Sequence, residues 1–516
     1  VTAILSLSLV VACQKSDRTS KILIFGRGAD SVGLDPAHEE DGESFKVAEL
    51  LYDTLVQYQQ ETTDIEPGLA SSWESSPDGL TWTFHLRSGV RFHDGTPCDA
   101  DAVVFSFQRQ YDPKHPFYKI GGPYLYWVAL GLGDVIEGVR AVDPATVEIK
   151  LKRPYAPLLS ALAVPAFSVV SPTALQQHGE DFKSNPVGSG PFKFVEWQRD
   201  DRIVLERNDA YWGGKSQLDR IIFRSIPDNA TRLLELERGG IHVLEYPDPE
   251  NLEAIRSNRD LVLIEKPGMT VGYIAMNTKK PPLNDVRVRQ AINHAINKKA
   301  IVDSLYNGLA VVAKNPIPPT VWGYNDAIAD YDYNPDKART LLKQALPRGS
   351  RELTLYALPA PRPYFLNPSQ IALAVQSDLQ AVGFQVRIET FEFGTYLEKV
   401  KNGDHDLAML GWIADYADPD NFLYFNLDKD NAKPPAGNIA FYESDTLHDV
   451  LVAGQTESDH AKRVALYRRA QEIVHEDAPW VPVAHAQNVV VTRTNVEGLV
   501  LNPTSWRHLW RVRIAP

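Results

Sequence analysis

Leu353-Thr-Leu-Tyr-Ala-Leu358 is a short, apolar, β-compatible run, and the residues after it decide the fold. A helix-forming segment from Ser369 to Gln380 places Ile371, Val375 and Leu379 at i, i+4 and i+8 on one face. Phe384 to Phe391 alternates as a strand does. Thr395 is positioned to cap a second helix and Gly403 to end it. Leu407-Ala-Met-Leu410 makes a third strand, read as buried and parallel. From Arg351 to Phe425 the order is strand, helix, strand, helix, strand, an α/β layout.

In an open α/β sheet, ligands sit outside the carboxyl ends of parallel strands. Two loops leave there: one carries Arg362-Pro-Tyr364, the other Gly411-Trp412-Ile-Ala-Asp415-Tyr416. A guanidinium and a carboxylate on one edge suit a small zwitterion. Arg362 would take its carboxylate by a two-pronged pair, and Asp415 its ammonium. An Arg–Asp surface pair, or two separately solvated charges, would leave the same sequence signature.

At 516 residues the chain exceeds one ordinary core, so two or three domains are expected. Its 44% hydrophobic and 23% charged residues are those of a folded soluble protein. The balance of 53 basic against 66 acidic residues, with no Lys/Arg cluster, argues against a nucleic-acid partner. Ala3 to Ala12 is apolar or small and too short to span a bilayer. It reads as the end of a secretory signal without its basic n-region, and the opening Val as a truncated or misassigned start. Val10-Val11-Ala12-Cys13 resembles a bacterial lipobox, with Cys13 lipidated and Gln14 to Ser20 a polar tether. The other reading is a plain signal peptide with an incidental Cys13. Only Cys98 follows, so neither an internal disulfide nor a zinc site built on several Cys is available.

Lys21 to Phe25 is a strand before the turn Gly26-Arg-Gly-Ala-Asp-Ser-Val-Gly33. A third, correctly spaced glycine and an immediate helix are missing, which argues against dinucleotide binding. Gly28 and Ala29 either offer backbone groups to a ligand or simply turn the chain. Ser44 to Tyr58 reads as a helix, Thr81 to Leu86 as one arm of a hairpin turning at Pro77-Asp78-Gly79, and Asp285 to Asn307 as one long helix. His85 and His93 read as hairpin surface residues. Composition shifts at Lys266-Pro-Gly268, a domain crossing. Pro479 to Ala484 and Asn488 to Val491 are strands.

Several phrases, in order, resemble the dipeptide- and oligopeptide-binding lipoproteins of ABC importers, the family 5 extracellular solute-binding proteins. They are Leu69-Ala-Ser-Ser-Trp73, Phe92-His-Asp-Gly-Thr-Pro97, Asn185-Pro-Val-Gly-Ser-Gly-Pro-Phe192, Asn208-Asp-Ala-Tyr-Trp212, Asp285-Val-Arg-Val-Arg-Gln-Ala291 and Gly411 to Phe422. The resemblance implies a three-lobed periplasmic-binding-protein fold (class II-like, cluster C) that closes by a hinge around its ligand. Domain I would comprise 21–54, 185–268 and 492–516, domain II 55–184 and domain III 269–491, after a 1–20 signal remnant and lipid-anchored tether. It also implies a monomer that captures short peptides, most simply dipeptides, between domains I and III and delivers them to a membrane permease. Asp415 would take the peptide ammonium and Arg362 its carboxylate, with Trp412, Tyr364, Gly411, Gly28 and Ala29 around them. No cofactor or metal is expected, and the membrane is met only through the anchor. Phe-Leu-Asn-Pro after Tyr364 departs from the more polar run expected there.

Three rival readings are weighed against this one: a secreted hydrolase, the same fold with another ligand, and a structural or adhesive lipoprotein. The last gives no reason for opposed Arg and Asp at two strand ends. A secreted hydrolase lacks its signatures: no Gly-x-Ser-x-Gly elbow and no His-Glu-x-x-His helix is present, and His475 to Trp480 falls at a helix end. Asp415, Asp418, Asp420 and Asn421 imitate a calcium loop, but the glycine and distant bidentate Glu of such a loop are missing, so Asp418-Pro-Asp420 reads as a helix cap. The same fold could instead hold haem, an oligopeptide, an antimicrobial peptide or a nickel chelate. Haem would want a His or Tyr ligand at the cleft, which the sequence does not place.

Overall fold

The structure, a computed structural model, describes residues 21–118, 120–346, 351–504 and 508–515. The lipobox with Cys13 and its tether lie outside these. A 12-stranded mixed sheet forms the backbone of the molecule, and the strand Trp480–Arg493 threads it from one half to the other. Its first half, to Ala486, pairs with Thr270–Met276 and Ala310–Val312; its second, from Gln487, pairs with Leu261–Pro267 and Val243–Glu245. The chain crosses between the halves a second time where Leu261–Pro267 leads into Thr270–Met276. Two adjacent strand crossings permit bending and restrict twisting, which is the geometry of a hinge. A single 14-residue strand thus replaces the two expected around residues 479–491. Hydrogen-bonded neighbours on both sides keep it extended where isolated apolar runs read as separate strands.

In the first half, Ile22–Arg27 lies parallel to Arg220–Ser225, which continues into the antiparallel hairpin of Phe192–Gln198 and Arg202–Arg207. A separate four-stranded antiparallel sheet carries Ala70–Ser75, Thr81–Leu86, Thr146–Leu151 and Ile136–Asp143, packed by the helix Ala100–Tyr111. Gly188 and Gly190 explain one quoted phrase. A Cβ at Gly188 would lie 2.1 Å from the Leu51 carbonyl oxygen, and one at Gly190 2.5 Å from that of Leu50. Glycine alone lets this turn close onto the end of the helix Gly42–Leu51, and Ser189 then reaches the buried Asp53 at 2.7 Å.

The second half contains the strands that open the sequence analysis. Glu352–Ala357, Pro368–Ala381, Gln385–Thr390, Phe393–Asn402 and Leu407–Ile413 follow the expected order, with Ile371, Val375 and Leu379 buried. Four details differ. The second helix is capped by the Glu392 carboxylate, which accepts from the Gly394 and Thr395 amides, so Thr395 lies inside it; Gly403 ends it at φ 80°. Leu407–Ile413 is parallel to Glu352–Ala357 yet antiparallel to Thr270–Met276, and it extends through Gly411 and Trp412 because the hinge-side neighbour continues its ladder. The expected long helix from Asp285 is two, Val286–Ala295 and Lys298–Leu305; Ile296 is extended and the Asn297 side chain caps the second. The Ser44–Tyr58 helix stops at Leu51, and Val56–Tyr58 is a strand.

His93 is half-buried rather than on the surface. Its Nε2 lies 3.0 Å from the Gly190 carbonyl, and burial pushes its pKa down to about 4.

Candidate functional site

Asp415 follows directly on the Leu407–Ile413 strand, two residues past its end. The loop then turns into the helix Pro419–Leu427, capped by the Asp418 side chain as expected from Asp418-Pro-Asp420. Pro419 suits the first helical turn, where no amide donor is needed. This places Asn421 back under the loop. Asn421 Oδ1 accepts from the Asp415 amide at 3.1 Å and from Trp412 Nε1 at 2.9 Å, and its Nδ2 donates to Asp415 Oδ2 at 3.0 Å. The other carboxylate oxygen accepts from the Tyr126 hydroxyl at 2.5 Å. Burial pushes the Asp415 pKa up, and the Tyr126 and Asn421 hydrogen bonds pull it back. Asp415 is aimed by one side chain beneath it and one from a distant segment.

Behind it, Asp418 forms a buried fork with Arg463, 2.9 and 3.0 Å between heavy atoms. Asp420 is buried too, accepts from Gln455 at 2.9 Å, and is pushed up to about 7 by desolvation and by the Asp418 charge. These carboxylates anchor the loop from inside, their oxygens taken up by Arg463 and Gln455.

Arg362 sits in a tight turn closed by reciprocal main-chain bonds with Phe365, both 2.9 Å. Its guanidinium lies 3.6 Å from the centroid of the Phe393 ring, contributed by the second helix. Its Nε is buried with no hydrogen-bond partner, and it forms no ion pair among the described residues. The Arg–Asp surface pair is therefore not what these two charges make. A chain of contacts still joins them. The Tyr364 ring turns inward, 7% exposed, and packs where a Cβ on Gly411 would stand 2.2 Å from its Cγ. Trp412 packs tilted on Phe425, ring centroids 4.7 Å apart, and bonds Asn421, which holds Asp415.

Of the residues expected in the site, Arg362, Tyr364, Gly411, Trp412 and Asp415 thus come together, Tyr364 and Gly411 as packing partners. Gly28 and Ala29 lie in an exposed turn beside Arg232, on the other half of the sheet. No hydrogen bond or ring contact joins that turn to Asp415 or Arg362 among the described residues. Tyr126, Asn421 and Phe393 join the site without a signal in the sequence that assigns them to it. In sequence Asn421 resembles a metal ligand of a calcium loop; in the structure it holds the Asp415 carboxylate and amide. Tyr126 is 289 residues from its partner, a pairing without local signal.

Among the described residues, Asp428, Asp430 and His448 offer three potential metal-ligand atoms within 4.8 Å of one another. Their arrangement is accounted for without an ion. His448 Nδ1 meets Asp428 at 3.0 Å, and Asp428 caps the turn Lys429–Asn431.

Two lobed halves joined by a double strand crossing, with a third lobe reaching across to Asp415, define a hinged binding protein. The chain belongs to the bacterial extracellular solute-binding proteins, family 5, whose middle-region model matches residues 64–434. It is 38% identical to the dipeptide-binding protein of Escherichia coli, over 99% of this chain and 98% of that one. It is 36% identical to haem-binding protein A of Haemophilus influenzae, over 94% and 90%. The periplasmic binding protein from Helicobacter pylori solved with the peptide STSA superposes with a TM-score of 0.87 at 39% identity, covering 96% of this chain and 98% of that one. Membership of this family places the protein outside the cytoplasm. No helix among the described residues is long and apolar enough to cross a membrane.

Proposed function

We propose that the protein captures a short peptide with both termini free and delivers it to the membrane permease of an ABC importer. Asp415 takes the ammonium and Arg362 the carboxylate. The observation that carries this is that two opposite charges, Arg362 held against Phe393 and Asp415 held by Tyr126 and Asn421, form no ion pair with each other. Both groups are half-buried. Closing the lobes over them withdraws them further from water, and a zwitterionic ligand supplies both counter-charges at once. The peptide-binding relatives and the peptide-bound neighbour support this choice of ligand class. In this proposal the lobes 21–54, 185–268 and 492–516; 55–184; and 269–491 close around the ligand, which is held without covalent chemistry. Water between the peptide side chains and the lobes tolerates many shapes. Cys13, from its place after Val10-Val11-Ala12, carries the lipid anchor.

Thermal-shift measurements with Ala-Ala, N-acetyl-Ala-Ala and Ala-Ala-amide test the reading. Ala-Ala at ~100 times Kd stabilises by about 2.7 kcal/mol, and each blocked peptide stabilises much less. Equal stabilisation by all three would remove the two-charge clamp. Asp415→Asn abolishes most Ala-Ala binding while the fold is kept. Haem, the ligand in the name of one relative, is the control in the same screen; a haem shift without an Ala-Ala shift would replace the peptide reading.

A further inference from the structure

Tyr126 belongs to the short helix Leu125–Ala129 in the lobe with the four-stranded sheet. Its ring stands edge-on to Phe45 at 5.4 Å, on the helix Gly42–Leu51 that packs with the first half of the main sheet. Its hydroxyl reaches Asp415 on the second half. One side chain thus touches all three parts of the molecule, and its polar end meets the carboxylate assigned to the peptide ammonium. Other contacts between these segments avoid that carboxylate: Tyr58 accepts from the Ala417 amide at 3.3 Å, and Tyr155 reaches Asp420 at 3.4 Å.

We propose that Tyr126 is a positioning residue that keeps Asp415 ionised and aimed, and so ties recognition of a free ammonium to closure of the lobes. This rests on the peptide reading above. The physical basis is that an O–H donated to a carboxyl group stabilises the ionised form more than the neutral one. Without it, a carboxylate withdrawn from water is neutralised more readily, and a neutral acid has little attraction for an ammonium. Asn421 performs the same service on the second oxygen, but from the same loop and helix; it cannot report where the other lobes are. The titratable groups around the pair are few. Tyr58 faces Asp415, while Glu40 and Asp41 act on Tyr126 from the chain before Phe45. Asp418 and Asp420 turn inward to Arg463 and Gln455.

The test is the pH dependence of Ala-Ala affinity, by calorimetric titration, in wild type, Tyr126→Phe and Phe45→Leu. The wild type loses affinity as pH falls through the Asp415 pKa. Tyr126→Phe keeps the ring against Phe45 and removes only the donor. Its affinity at pH 7 falls about tenfold, and its acid limb moves up by about one pH unit, as expected for one hydrogen bond to a charged group. Phe45→Leu leaves the hydroxyl in place, so its affinity falls while its acid limb stays with the wild type. An unshifted acid limb in a Tyr126→Phe protein that still prefers Ala-Ala over N-acetyl-Ala-Ala overturns the proposal and leaves the two-charge reading standing. Absence of that preference in the wild type overturns the two-charge reading, and this proposal with it.

Discussion

Replacing Gly411 by alanine inserts one methyl group into the strand that carries the site. The new Cβ would lie 2.2, 2.3 and 2.7 Å from three atoms of the Tyr364 ring, where ordinary contact begins at about 3.4 Å. The ring must retreat by more than an ångström, and it has little room. It is buried, and the Tyr364 carbonyl is held by the Tyr306 hydroxyl at 2.9 Å and packs close on Gly272. Overpacking of this kind costs about 1–3 kcal/mol. Urea unfolding of Gly411→Ala should show that loss. In a Tyr364→Ala background the methyl enters vacated space, and its cost should drop below about 0.5 kcal/mol, giving a coupling of about 0.5–3 kcal/mol in the double-mutant cycle. Arg362 shares a closed turn with Tyr364, so the displaced ring also moves the guanidinium. Affinity for Ala-Ala should therefore fall more than affinity for Ala-Ala-amide. A neutral Gly411→Ala, or a cost that is the same in both backgrounds, would refute the packing argument.

Truncating Phe393 to leucine removes the face on which Arg362 lies. A cation–π contact contributes about 0.5–2 kcal/mol, so Ala-Ala affinity should fall a few-fold to about thirtyfold in titration, with Ala-Ala-amide little affected. Asp418→Ala leaves Arg463 buried without its counter-charge and should destabilise by about 3–5 kcal/mol in urea unfolding; Asp418→Ala with Arg463→Met should recover much of it. His405 supplies a pH signature. Its Nε2–H donates to the Ile439 carbonyl, Nδ1 is buried without a partner, and desolvation pushes the pKa down to about 4. The unfolded chain therefore binds the proton first, and this group's contribution to stability is lost as pH falls from about 6.5 towards 4. Against His405→Gln, the wild-type advantage at pH 7.5 should shrink across that window; a constant difference would refute the assignment.

The sequence by itself determined the local grammar of the 351–425 stretch. Period-2 and period-3.6 apolar patterns are written in neighbouring residues, so the order of its strands and helices and the stop at Gly403 could be read directly. The Asp418-Pro-Asp420 cap was legible for the same reason: a proline in the first helical turn after a capping carboxylate is a local signal. The opposed charges of Arg362 and Asp415 were visible as residue types at loop positions. Whether they pair with each other was not, because that depends on where Phe393 and Asn421 lie.

Tertiary structure decided what neighbours in sequence cannot encode. Trp480–Arg493 became one strand because partners from both halves of the sheet hold it extended. Leu407–Ile413 grew through Gly411 because Thr270–Met276 continues its ladder. Tyr364 turned inward because a glycine two strands' worth of chain away left room for its ring. The donor on Asp415 comes from Tyr126, 289 residues away in another lobe, where only the folding of the whole chain brings a hydroxyl to a carboxylate. Periodicity sets the elements; the distance between side chains far apart in sequence sets the site.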